Sequence, residues 1–152
     1  MIARHAPLTI ALALLGAAAC VPSVQAASPD VLWTPLDPKS MPGVFYDSAS
    51  IARVTEKPMV MTVTVAWFYA QHRVSETTGQ IYGSVAQPIT LNCSADTYTV
   101  TETRHYAGND ATGALVESIP VAGIHNAPVA RDPVQRKLRA VVCPAPGKNA
   151  RK

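Results

Sequence analysis

The sequence predicts an α+β domain, mainly antiparallel β, with a single sheet and one C-terminal helix packed on it. Three observations predict this. From Trp33 to about residue 121 the chain alternates apolar and polar side chains with period two, in runs separated by short turns rich in Gly, Asn and Asp. After Asp132 the period changes to that of a helix. Two cysteines, Cys93 and Cys143, then mark the end of a strand and the end of that helix.

The elements follow in order. Trp33 to Leu36 forms a short first strand, and Gly43 to Asp47 a second that runs into a turn at Ser48 to Ile51. Met59 to Tyr69 is the clearest strand, with Met61, Val63, Val65 and Trp67 on one face and Thr62, Thr64 and Ala66 on the other. Ile81 to Cys93 alternates in the same way through Ile81, Val85, Ile89, Leu91 and Cys93, so Cys93 points at the core. Pro88 within it cannot donate to a ladder and demands an edge or a bulge. Tyr98 to Tyr106 reads as one strand with a threonine row at 97, 99, 101 and 103 and an even row that turns charged at Glu102 and Arg104. A loop from Ala107 to Gly113 returns the chain into a strand from Ala114 to Val121, which makes the whole an antiparallel meander. Asp132 caps a helix whose first position is Pro133 and whose apolar stripe is Val134, Leu138, Val141 and Val142; Gln135, Arg136 and Arg139 fall on the other side, and Pro144 and Pro146 end it. The face away from the helix carries the threonine rows, and open sheet edges offer docking surfaces.

The N-terminus reads as an export signal. Met1 to Pro7 carries Arg4, and Leu8 to Ala19 is an uncharged apolar run of 12 residues, too short to span a bilayer, which takes roughly 20. Cleavage after Ala26 divides the chain into a signal peptide 1–26, a flexible segment 27–32, a domain 33–146 and a basic tail 147–152. A second reading is that Cys20, after Ala17, Ala18 and Ala19, is acylated as the first residue of a lipoprotein, which ties the domain to the outer membrane through a tether rich in Pro, Ser and Ala. Either way the product is exported, to the periplasm, the cell surface or the medium.

In an oxidising compartment Cys93 and Cys143 read by default as one disulfide, closing a loop of about 50 residues and stabilising the fold by roughly 4 kcal/mol in the chain-entropy model. The rival readings are a reactive thiol and a metal-ligand pair, and no neighbouring His or Cys at ligand spacing favours them.

Patterns that carry enzymatic chemistry are missing. None of Ser48, Ser50, Ser84, Ser94 and Ser118 lies in a Gly-x-Ser-x-Gly elbow or a Ser-x-x-Lys motif, and no glycine-rich phosphate loop occurs. Asp96 with Glu102, or Glu102 with Glu117, can face one another across paired strands, but acid–base work requires a cleft and these carboxylates read first as solvating groups; Asn109 and Asp110 belong to no calcium loop. The sequence therefore predicts no enzyme, no catalytic residues and no metal. His72, His105 and His125 are widely spaced; each reads first as a surface histidine and second as a ligand of a small molecule or haem carrier. A formal charge of +3 from 13 basic and 10 acidic residues is too mild and scattered for a nucleic-acid partner.

Two groups remain as candidates for binding a protein. Trp67, Phe68 and Tyr69 stand at the end of the long strand, where at least one ring must leave the core and serve as an interface anchor, unless Phe68 packs beneath the 70–80 loop. Arg136, Lys137 and Arg139, with Arg131 nearby, form either a recognition patch or the solvated face of the helix.

Trp33, the string Phe45-Tyr46-Asp47-Ser48-Ala49-Ser50-Ile51, the Val-rich strand ending at Trp67, Ile81-Tyr82-Gly83-Ser84, Leu91-Asn92-Cys93, Tyr106 with Gly108, Val116-Glu117-Ser118 and Val141-Val142-Cys143 occur in this order. The layout resembles the bacterial surface-adhesin protein E-like domain family over nearly the whole exported chain. The resemblance implies an antiparallel sheet of about six strands with a C-terminal helix held by a disulfide. It also implies binding of host extracellular-matrix and serum proteins, with haem binding and a homodimer as further properties of the family. The chain departs from the family pattern at Ile124-His125-Asn126-Ala127-Pro128, where a Trp usually precedes the last Pro-rich stretch, and no ligand-binding residue carries over.

Overall fold

The computed structural model describes residues 30–145. The export signal, Cys20 and the tail 147–152 lie outside the described residues. Eight strands form one sheet: β1 (Trp33–Pro35), β2 (Val44–Thr55), β3 (Val60–Val74), β4 (Ile81–Asn92), β5 (Thr97–Val100), β6 (Glu102–Tyr106), β7 (Leu115–Pro120) and β8 (Ala127–Pro128). A 3-10 turn, Val129–Arg131, leads into helix α1 (Pro133–Val142). Every pairing is antiparallel, in the order β1-β2-β3-β4-β5-β8, with β6 joining β4 beside β5 and β7 closing that side on β6. The fold class is the expected one, with eight strands in place of about six. The added ones are the two-residue β8 and a split in the segment Tyr98–Tyr106.

That split explains Pro88. Strand β4 is central, not an edge, and Pro88 faces Thr64 of β3. On its other side β4 pairs with β6 at Ser84–Ala86 and with β5 at Ile89–Asn92. Pro88 falls in the gap where the neighbour changes, so its missing N–H breaks no ladder bond there. The change of neighbour happens at Thr101, which is outside both strands and accepts a hydrogen bond from Val121 N at 2.9 Å. Ile89 faces Val100, whereas Val85, four residues away on the same face, opposes His105, five residues from Val100. The extra residue reverses the phase, so Thr103 and His105, not Glu102 and Arg104, share a face with Tyr98 and Val100.

A second irregularity sits where the sequence suggests a turn. Between Asp47 and Ala52, strand β2 carries three residues more than β3 opposite. Asp47, almost fully buried, accepts from Leu32 N at 2.9 Å and Ala49 N at 3.0 Å, while Ser50 Oγ donates to Asp47 O and accepts from Thr64 N. The Asp-x-x-Ser spacing thus supplies partners for a backbone that has left the ladder.

The core lies between the sheet and α1. Val63, Val65, Ile89, Leu91 and Leu138 are at most 2 % exposed, and Met61, Tyr98, Val100, Val129 and Val142 complete it. Each such aliphatic side chain contributes about 1.5–3 kcal/mol through burial. Asp132 caps the helix by accepting from Val134 N at 2.8 Å and Gln135 N at 3.1 Å, with Pro133 at the first position. The buried stripe differs from expectation: Val141 is 47 % exposed and Gln135 only 2 %. The helix is rotated so that positions 134, 135, 138 and 142 meet the sheet, because a short helix tethered at its end must place Cys143 beside Cys93.

The disulfide Cys93–Cys143 is present, with Cα atoms 5.7 Å apart. Lys137 Nζ meets Asp37 Oδ2 at 2.8 Å on the β1–β2 connection, and Arg139 pairs with Asp96 of the β4–β5 turn. One covalent and two ionic links therefore fasten α1 to both sides of the sheet.

Candidate functional site

Helix α1 covers only the part of the sheet where β3 begins and β4 ends. The same face continues beyond it along a row of cross-strand partners: Trp67 opposite Val85, Val85 opposite His105 and His105 opposite Glu117. Paired residues in an antiparallel ladder project to one side, so this row forms a continuous surface. Tyr69 and Tyr82 join it. Gly83 matters for this placement: a Cβ there would come within 2.9 Å of Gly108 O, so only glycine lets the 107–113 loop lie against β4. Ser84 beneath that loop is fully buried, donating to Gly108 O and accepting from Ala111 N.

At the centre, the His105 ring stacks on Tyr82 with centroids 4.2 Å apart and planes 22° from parallel. Tyr69 meets Tyr82 edge-on at 6.0 Å, and the Arg73 guanidinium lies 4.0 Å above the Tyr69 ring. His105 Nδ1 is 2.8 Å from Glu117 Oε1, and both side chains are largely buried. The contact engages Nδ1 and leaves Nε2 for another partner. Burial raises the Tyr69 hydroxyl above its ordinary pKa, outweighing the opposite pull of Arg73.

The Tyr82–His105 pair separates two hollows. One, of about 290 Å³, is lined by Trp67, Tyr69, Val85, Gln87 and Thr103 together with the pair. The other, of about 350 Å³, is lined by Arg73, Ser75, Glu76, Thr77, Glu117 and Ile119, again with the pair. No residue of α1 lines either one. Gln87 Nε2 donates to Thr103 Oγ1 at 2.8 Å across the floor of the first hollow.

The residues singled out by sequence are dispersed. Trp67 faces the first hollow, but Phe68 points to the opposite side of the sheet, where it stacks on Phe45 at 4.4 Å and meets Trp33 edge-on at 5.4 Å. It does not pack beneath the 70–80 loop. In the basic group, Lys137 and Arg139 spend their charges on Asp37 and Asp96, and Arg136 stands exposed beside them. Among the histidines of the described residues only His105 belongs to the ridge; His72 is exposed on β3, and His125 contacts Asn126 before β8. Among the described residues no group of three or more His, Cys, Asp or Glu side chains is placed to hold a metal ion, and no helix is long and apolar enough to cross a membrane. Sequence reasoning included Tyr69 among the strand-end aromatics but missed Arg73, Tyr82 and Gln87 as site residues. A signal was present in Tyr82, since an aromatic beside Gly83 at the exposed start of a strand has little core to enter.

Comparison with known proteins agrees with this architecture. The family model for surface-adhesin protein E matches residues 33–144. A crystal structure of Haemophilus influenzae protein E in its selenomethionine form superposes with a TM-score of 0.58 at 18% identity, covering 78% of this chain and 92% of that one. A second crystal form of the same protein gives 0.54 at 19% identity, over 74% of this chain and 94% of that one. At these identities the likeness shows the fold. A search of curated proteins gave no significant match.

Proposed function

The chain belongs to the surface-adhesin protein E family, and on that premise we propose that it is an exported, non-enzymatic binding domain whose partners are extracellular-matrix or serum proteins of a host. The observation that supports this reading is the uncovered half of the helix-side face, where Trp67, Tyr69, Tyr82, Arg73 and His105 form a contiguous surface. Tyr, Trp and Arg are the side chains that dominate binding energy at protein interfaces. Their own stacking holds them in place, so little rotamer freedom is lost on association.

Export follows from the N-terminal signal. A chain cleaved after Ala26 reaches its partners through the periplasm or medium; a chain acylated at Cys20 is held on the membrane. Fractionation of producing cells, palmitate labelling of wild type and Cys20→Ser, and protease accessibility on intact cells test this together with binding to immobilised matrix and serum proteins. Exported protein that binds saturably to such a surface supports the proposal. Retention in the cytoplasm, or no saturable binding, contradicts it.

A further inference from the structure

We propose that the two hollows flanking Tyr82 and His105 recognise carbohydrate, so that the domain reads an uncharged glycan carried by its protein partner; this rests on the binding reading above and names the chemistry recognised. The lining has the required chemistry. A pyranose ring has one apolar C–H face and a rim of hydroxyls, and it needs a flat aromatic surface beside hydrogen-bonding groups fixed in plane. The 290 Å³ hollow offers the rings of Trp67, Tyr69 and Tyr82 next to Gln87, Thr103 and His105.

The polar side chains of the hollow also keep unused hydrogen-bonding capacity. Gln87 uses one amide hydrogen on Thr103, which leaves its carbonyl oxygen, its second amide hydrogen and the Thr103 hydroxyl hydrogen for a ligand. The His105 ring, held through Nδ1 by Glu117, keeps Nε2 as well. Side chains locked by one partner and open toward a hollow are preorganised for a ligand rich in hydroxyls.

Charge points the same way. Among the described residues no Asp, Glu, Lys or Arg side chain lines the 290 Å³ hollow, and the adjoining 350 Å³ hollow mixes the Arg73 guanidinium with the carboxyl groups of Glu76 and Glu117. The first hollow offers a charged ligand no countercharge and the second offers groups of both signs, whereas a neutral sugar requires none. Two hollows sharing one aromatic ridge suit two successive sugar units, the first stacked on the rings and the second bonded by Ser75, Thr77 and Arg73.

The test uses the purified exported protein and uncharged disaccharides, N-acetyllactosamine and N,N′-diacetylchitobiose. Binding is followed by tryptophan fluorescence and by saturation-transfer NMR. A saturable fluorescence change that survives Trp33→Phe but disappears in Trp67→Phe is expected with at least one sugar. Tyr82→Ala and the milder Gln87→Ala should each weaken binding tenfold or more while the thermal midpoint stays close to wild type. If neither sugar binds while the protein still binds immobilised matrix, the carbohydrate inference is overturned and the adhesin reading stands. If matrix binding is also absent, both fall. Sugar binding unaffected by Tyr82→Ala and Gln87→Ala overturns the assignment of the site.

Discussion

The imidazole of His105 stacks face to face on the phenol ring of Tyr82, 4.2 Å between centroids, and is pinned through Nδ1 by Glu117. This arrangement makes a rigid ridge out of three side chains from three strands. If the ridge is the contact surface, Tyr82→Ala should lower affinity for the partner by about 2 kcal/mol or more, the range of an interface hot spot. Its effect on folding should be small because the ring is only half-buried. Titration of immobilised partner alongside a thermal melt separates the two effects.

The opposite helical half of the sheet should behave as a stability element. Leu138 is fully buried against Ile89 and Leu91, so Leu138→Ala should cost about 2–5 kcal/mol in urea unfolding through lost burial and a cavity. Asp132→Ala, which strips the cap from Val134 N and Gln135 N, should cost about 1 kcal/mol. Neither should change binding by the protein that remains folded.

Replacing Cys93 and Cys143 together by Ala opens a loop with a sequence separation of 50. The loss expected from chain entropy is about 4 kcal/mol. Because no residue of α1 lines the hollows, partner affinity measured well below the unfolding midpoint should remain within a few fold of wild type. Parallel denaturation and binding curves check this.

Acid should loosen the helix through its ion pairs. The hydrogen bond from Lys137, then that from Ser40, holds the Asp37 carboxyl well below the usual range; Arg104 and Ser118 do the same more mildly for Glu102. A depressed folded pKa means that the stabilisation is complete above the unfolded value of ~4 and is lost as pH falls through the lower folded values. Asp37→Asn should therefore flatten the decline of the urea midpoint below pH 4 and leave its slope unchanged between pH 6 and 8. Asp37 is near the surface, so the effect should also shrink in high salt.

Much of the fold was legible because its signals are local. Met61, Val63 and Val65 alternate without interruption, Asp132-Pro133 announces a helix start, and two cysteines in an exported chain have one simple pairing. What escaped depends on tertiary context. The phase reversal at Thr101 is a single residue without a side chain that signals it, yet it decides whether His105 or Arg104 joins the site. The rotation of α1 that buries Gln135 and exposes Val141 is imposed by the tether at Cys143, not by the helix's own pattern. Lys137 and Arg139 read as a recognition patch or a solvated helix face, without their ion pairs, because the partners Asp37 and Asp96 are 100 and 43 residues away.

The central claim is that binding uses the uncovered helix-side half of the sheet and not its reverse face, where Trp33, Phe45 and Phe68 form a second aromatic cluster. The most direct measurement compares the affinities of wild type, Tyr82→Ala and Trp33→Ala for the same immobilised matrix preparation, each variant first shown to be folded. The account predicts at least a tenfold loss for Tyr82→Ala and less than a twofold change for Trp33→Ala. A loss confined to Trp33→Ala would contradict it.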